Sequence, residues 1–317
     1  EELREICRDY PGLLDAAEQL LADCTFRFDF KLPKNRRLYG SSREDDLALL
    51  TKLAHEGLRY RYPRSDREAK ARVEKELKVI HELHFDAYFL ITWDIIRYAR
   101  SRGYFHVGRG SGANSIVAYC LGITDVDPVA LDLYFERFIN PHRTSPPDFD
   151  IDFSWDERND IIDYIFKRYG AKHVCLLATY VTFRDKSIYR ELAKVFGLPK
   201  AEIDAWLDPA TAMREVSSEI QGLIVKYGNL LLDFPNYLSI HAGGILISEE
   251  PLFAYTALEP MPKGFPICQF DMYVAEEIGF AKFDILSQRG LGHIKESVDI
   301  IRANRGVDVD VDRKSVV

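Results

Sequence analysis

The stretch Pro147-Asp148-Phe149-Asp150-Ile151-Asp152-Phe153 alternates acidic and large apolar residues with a period of two. Two is the side-chain period of a β-strand, so Asp148, Asp150 and Asp152 line one face while Phe149, Ile151 and Phe153 line the other. A strand patterned this way belongs to a sheet with a core on one side. Aligned carboxylates repel one another and raise each other's pKa unless a cation sits among them. Mg2+ fits that need, because it takes hard oxygen ligands from one or two carboxylates and keeps sites for phosphate and water. An isolated Asp-x-Asp is more often a solvated strand face or a pair of turn caps, so the reading depends on its company.

Lys282-Phe283-Asp284 lies in the apolar run 279–286. An ionisable pair there needs a partner or a metal. Asp284 offers a third carboxylate, and three carboxylates from two strands can hold the two cations of a phosphoryl-transfer site. Lys282, two residues earlier, shares the strand face of Asp284; a plain Lys–Asp ion pair on an exposed strand stays open as the alternative. The glycine-rich loop Gly108-Arg109-Gly110-Ser111-Gly112 leads into an expected helix over 113–121. Its backbone amides, the helix N-terminus and the Arg109 fork suit a triphosphate. It is neither a Walker loop nor G-x-G-x-x-G, and such loops are more often only turns. Arg137 and Arg143 flank the carboxylate strand, where each either neutralises phosphate or caps a local helix end.

Outward from these motifs, the apolar spacing predicts helices over 1–24, broken at Pro11-Gly12, from a cap at Ser65 or Asp66 through Leu83, and over 88–100. Strand-like runs follow at 104–107 and 174–180, with a helix around Ile161 to Tyr169 between them. Residues 182–238 read almost wholly as helix, with breaks at Leu198-Pro199 and Asp208-Pro209, and strand-like runs return at 244–248, 267–270 and 279–286. A helical segment is thus inserted into an α/β domain.

Composition narrows the classes. A chain of 317 residues with 47% hydrophobic content can bury a substantial core. Its longest apolar stretch, 87–93, falls far short of the ~20 residues of a membrane span, so no membrane segment is expected. Five scattered cysteines without a C-x-x-C pair argue against zinc and a disulfide framework, and favour a reducing cytoplasm. The net charge of −8 excludes a globally basic nucleic-acid binder, so any DNA contact is local. Glu1 in place of Met, no leader after it and no natural stop at 313–317 read as an excised piece.

Seven elements in order resemble the alpha subunit family of bacterial DNA polymerase III, of the C family. They are the loop 108–112, Leu121-Gly122-Ile123-Thr124-Asp125, Phe135-Glu136-Arg137-Phe138, Asn140-Pro141, the 147–153 stretch, His241-Ala242-Gly243-Gly244 and Lys282-Phe283-Asp284. The match covers about residues 28–300.

The resemblance implies an α/β (α+β) fold, a polymerase-beta-like nucleotidyltransferase palm with an inserted helical thumb. It divides the chain into a helical connector from an absent PHP domain (1–27), the first part of the palm (28–181), the thumb (182–240) and the second part of the palm (241–317), leading to absent fingers. It assigns catalysis and two Mg2+ ions to Asp148, Asp150 and Asp284, with Lys282 beside the metals and Asp152 in support. Arg109, Gly110, Ser111, Arg137 and Arg143 face the nucleotide, and Lys186, Arg190 and Lys194, at i, i+4, i+8, follow the duplex backbone. The partners implied are primer-template DNA, dNTP and other replicase subunits. Without fingers, the isolated piece is expected to be inactive.

The chain departs from the family at Val107-Gly108, where Gly-Pro-Gly is usual before the arginine, and at Asn114 and Ser287, where glycine is common. These traits, and a shorter helical insertion, leave both a main replicase and an auxiliary, lesion-tolerant paralogue open. Two rivals to the polymerase reading are another two-metal phosphoryl-transfer enzyme and a non-catalytic DNA-docking module.

Overall fold

A computed structural model describes residues 2–25, 28–30, 32–64, 66–140, 148–208 and 219–309, apart from the side chains of Pro11, Asp185 and Lys186. Two helices open the chain, α1 (Glu2–Ile6) and α2 (Pro11–Asp23), with Leu3, Ile6, Leu20 and Leu21 exposed. Next comes α3 (Arg43–Arg61), a helix that the sequence pattern did not announce. Its first turn is entirely charged and only Asp46, Leu50 and Ala54 are buried, so the apolar stripe is thin. The local signal was Ser42, whose hydroxyl accepts from the Asp45 N–H as an N-cap.

Helix α4 (Arg67–Glu82) starts at Asp66, which accepts from the amides of Glu68 and Ala69, while the alternative cap Ser65 lies outside the described residues. It buries Val73, Leu77 and Ile80, as the spacing requires. Helix α5 (Asp86–Ser101) buries Phe89, Leu90, Ile91, Ile95 and Ile96, each stabilising by roughly 1.5–3 kcal/mol.

Strand β1 (His106–Arg109) takes in Arg109 of the glycine-rich loop, two residues beyond the expected strand end. The helix expected over 113–121 is a 3-10 turn, Gly110–Asn114, followed by α6 (Ile116–Leu121). The physical reason is Ser115, whose hydroxyl caps the Ala118 N–H and so starts the α-helix at Ile116. Strand β2 (Asp150–Ser154) carries the acidic stretch, with Asp148 and Phe149 just ahead of it and Pro147 outside the described residues. Helix α7 (Arg158–Tyr169) and strand β3 (Val174–Thr182) follow.

Among the described residues, three helices, α8 (Asp185–Val195), α9 (Lys200–Leu207) and α10 (Glu219–Leu231), come before β4 (Pro235–Ile247). Residues 235–238, read from sequence as helix, are strand, because they pair antiparallel with β3 from Thr182↔Pro235 to Tyr180↔Leu238. The helices therefore emerge at the end of a two-stranded ribbon and gather around a small core of their own, made by Ala193, Ile203, Leu207 and Ile224. The chain closes with β5 (Glu259–Pro260), β6 (Pro266–Ile267), α11 (Met272–Glu277), β7 (Phe283–Gln288) and α12 (Arg289–Arg305). Among the described residues no helix is long and apolar enough to cross a membrane.

The strands form one mixed sheet in the order β1-β2-β7-β4-β3-β6-β5, with β2 and β7 parallel neighbours. Side-chain parity explains its layering. Val174, Leu176, Ile245 and Ile247 join a large core under α3 to α7, while Cys175, Leu177 and Leu246 point oppositely into a second cluster with Ala275, Ile278 and Phe280. At β2 and β7 the first core takes Ile151, Phe153, Phe283 and Ile285. The opposite parity there belongs to Asp150, Asp152 and Asp284, which are not part of the second cluster.

Candidate active site

Asp150 and Asp284 are cross-strand neighbours in the parallel ladder, and Asp148 enters from the residues leading into β2. Ligand oxygens of all three carboxylates lie within 4.8 Å of one another. The convergence expected from sequence is thus met, across a separation that no local pattern spans. Lys282 sits between them: its ammonium donates to Asp148 Oδ2 at 2.6 Å and also to Asp284 Oδ2. Burial pulls the pKa of that ammonium down, but the hydrogen bonds to Asp148 and Asp284 outweigh it and the net shift is upward.

Burial, then the charge of Asp148, pushes the Asp150 carboxyl above the ordinary aspartate range, with Arg109 opposing. Arg109 lies across the antiparallel β1–β2 pair from Asp150; it donates to Asp152 Oδ2 at 2.8 Å and to Asp150 Oδ2 at 3.3 Å. Asp152 is therefore held by the guanidinium and is not one of the clustered three.

The glycine loop works by close approach. Gly110 has φ +74°, and a Cβ there would lie 2.6 Å from Asp150 Oδ2; one at Gly112 would lie 2.4 Å from the Phe149 ring. Ser111 is partly buried beside the same segment. Behind the loop, the fully buried Glu76 accepts from the Ser115 hydroxyl and the Val117 amide, while Arg72 donates to the Asn114 carbonyl.

On the other side of Asp284, Gly244 is its antiparallel partner on β4. The β3–β4 register breaks between Ile240 and Ile245, and His241 Nδ1 closes the irregularity by accepting from the amides of Gly243 and Gly244 at 3.2 and 2.8 Å. Neutral His241 then carries its proton on Nε2. Burial lowers the His241 pKa; Asp284 opposes this, Lys282 and Arg158 add to it, and the net shift is downward. The buried Arg158 donates to the carbonyls of Ile285 and Ala242, pinning β7 to that irregularity. His241 was visible only as part of the His-Ala-Gly-Gly element; Glu76, Arg158 and Tyr88, taken up below, carried no sequence signal, because each is a single polar residue in a helix.

The remaining expected residues are more dispersed. Arg137 is exposed in the 3-10 turn Phe135–Arg137, and Arg143 lies outside the described residues. On α8, Arg190 pairs with Asp204 and Lys194 with Glu191, each at 2.6 Å, so both cations already have acidic partners. The Lys186 side chain lies outside the described residues.

The three carboxylates fit a divalent metal. All are hard oxygen donors, and the buried Asp284 Oδ1 accepts no hydrogen bond from any described residue, a lone pair left for a cation.

Residues 48–287 match the family described as bacterial DNA polymerase III alpha NTPase domain. An error-prone DNA polymerase of Symbiobacterium thermophilum is 37% identical over 273 residues, covering 80% of this chain and 25% of that protein. The DNA polymerase III subunit alpha of Bacillus subtilis is 34% identical over 332 residues (98% and 30%), and the error-prone DNA polymerase of Mycobacterium tuberculosis 32% over 319 residues (99% and 29%). The chain spans between a quarter and a third of the length of these relatives.

Proposed function

The chain belongs to the bacterial DNA polymerase III alpha family, and from that premise we propose that it carries the nucleotidyl-transfer centre of template-directed DNA synthesis. The observation that carries the proposal is the meeting of Asp148, Asp150 and Asp284, from two adjacent strands, within 4.8 Å. In this reading the sheet is the palm, of the polymerase-beta-like type, and α8 to α10 are the thumb. Primer-template DNA and dNTP are the substrates, and the work is done in the cytoplasm with other replicase subunits.

Two Mg2+ ions held by Asp148, Asp150 and Asp284 would supply the charge that activates the primer 3′-hydroxyl and stabilises the departing pyrophosphate. The chain's own groups position the rest. Gly110 keeps the loop backbone against Asp150, and no larger residue fits there without moving the carboxylate. Arg109 fixes the carboxylates of Asp150 and Asp152 through separate nitrogens and offers a guanidinium to phosphate oxygens at the exposed edge. Lys282, between Asp148 and Asp284, places a second cation at the same opening. Arg190 and Lys194 face solvent on α8, where a duplex backbone can exchange for Asp204 and Glu191.

The test is Asp150→Asn in the full-length protein, which removes charge at nearly constant volume. Primer extension should fall by about 10³-fold or more, the loss of several kcal/mol of charge stabilisation, with the fold unchanged by circular dichroism. Near-normal extension would overturn the assignment. Extension that ignores the template would favour a template-independent nucleotidyltransferase.

A further inference from the structure

Tyr88 stands on the second residue position after the start of α5's first turn, far in sequence from either acidic strand. It is buried, 6% exposed, with its ring stacked on Phe149 (centroids 5.6 Å apart, planes at 8°) and on Phe283 (4.6 Å, 27°). Phe149 lies between Asp148 and Asp150, and Phe283 lies between Lys282 and Asp284. The ring is therefore fitted against the core side of both acidic segments.

The hydroxyl makes two bonds to main chain. It accepts from the Phe149 N–H at 3.2 Å and donates to the Lys282 carbonyl at 3.1 Å. Burial, then the charge of Asp148, holds the phenol protonated, as the donated bond requires. The ladder between β2 and β7 begins at Asp150↔Asp284. Just ahead of that rung the backbones are joined through Tyr88, from the Phe149 amide one residue before it on one segment to the Lys282 carbonyl two residues before it on the other.

We propose that the Tyr88 hydroxyl is a positioning group for nucleotidyl transfer, bridging the Phe149 amide and the Lys282 carbonyl so that Asp148 and Lys282 are held in register with Asp150 and Asp284. The proposal rests on the polymerase reading above and extends it to a residue that does not face the substrate. The geometry leaves little alternative use for the hydroxyl, since both its partners are main chain and both flank catalytic side chains. Without it, the Phe149 amide and Lys282 carbonyl lose their shared partner, and the two segments are free to separate ahead of the first rung. Octahedral Mg2+ tolerates such displacement poorly. A displacement of 1 Å in a reacting assembly can cost about 10²-fold in rate.

Tyr88→Phe keeps both stacked rings and deletes only the bridge. In the full-length protein, kcat for primer extension with Mg2+ should fall roughly 10- to 100-fold while KM for dNTP changes less than about threefold. Mn2+ binding followed by electron paramagnetic resonance, without DNA or dNTP, should weaken by about tenfold, a readout independent of turnover. Replacing Mg2+ by Mn2+ in the assay should recover part of the rate, which a simple loss of folded protein would not allow. Wild-type Mn2+ affinity and wild-type kcat in Tyr88→Phe would overturn the proposal, as would an equal loss with both metals that follows the unfolded fraction in thermal melts. Asp150→Asn is run alongside. If it binds Mn2+ and extends primers like wild type, the metal-centre reading falls with the bridge; if it is inactive while Tyr88→Phe is normal, only the bridge falls.

Discussion

Replacing Lys282 by Met should have opposite effects on the metal-free protein and on its metal affinity. The ammonium bonds to Asp148 and Asp284 inside a cluster whose ligand oxygens lie within 4.8 Å. At that separation, and with an effective dielectric of about 20, two carboxylates repel by about 3 kcal/mol. Lys282 offsets that repulsion. The Asp148 side chain is 39% exposed, so water screens part of it, and a net loss of about 2 kcal/mol is expected for Lys282→Met without metal. A divalent cation entering the variant has no ammonium to displace, so its dissociation constant should fall about tenfold, worth about 1.4 kcal/mol. Saturating Mn2+ should therefore stabilise the variant more than wild type and close most of the gap between them. The assay is thermal denaturation in chelator and in excess Mn2+, with the dissociation constant taken from electron paramagnetic resonance. Weaker Mn2+ binding by the variant, or equal stability of the two proteins in chelator, would refute the view that Lys282 acts as a counter-charge at the metal position. Under the proposed function, primer extension by the variant should fall regardless, because a cation that would meet phosphate is lost.

Three further outcomes are expected. Gly110→Ala puts a side chain at φ +74° and within 2.6 Å of Asp150 Oδ2, so it should lower stability by about 1–2 kcal/mol and weaken Mn2+ binding; unchanged Mn2+ affinity would show that the loop does not constrain Asp150. Asp204→Asn releases Arg190 from its ion pair and should steepen the salt dependence of duplex DNA binding by about one unit of log–log slope, while Arg190→Glu should flatten it; an unaltered slope in both would remove α8 from the DNA path. Asp94, buried on α5, accepts from Tyr39, Tyr164, Tyr169, Arg97 and Arg168. Burial raises its pKa, yet the hydrogen bonds from Tyr164, Arg97 and Tyr169 outweigh it and hold the carboxyl below its usual value. Its contribution is thus present above the unfolded aspartate pKa and lost as pH falls through the lower folded one. Asp94→Ala should cost about 3–5 kcal/mol in urea denaturation at neutral pH, with the difference from wild type narrowing only below about pH 4; a constant difference down to pH 2 would contradict the linkage.

Sequence by itself determined a good part of the centre. Alternation in 147–153 set which side chains of β2 face the core, and Lys282-Phe283-Asp284 has the same parity, because a strand's period is a local property of backbone geometry. Motif order carried the family, which the comparisons bear out. Helix α3 was illegible because its charged first turn hides a stripe of few buried residues, and 235–238 reads as helix because its strand state comes from pairing with β3 rather than from its own pattern. Only tertiary structure could decide that Asp150 pairs with Asp284, that Arg109 engages Asp152, and that the Tyr88 hydroxyl joins Phe149 to Lys282 across 61 and 194 positions of sequence. Those contacts depend on strand order and helix packing, and residues so far apart in the chain leave no periodicity that could announce them.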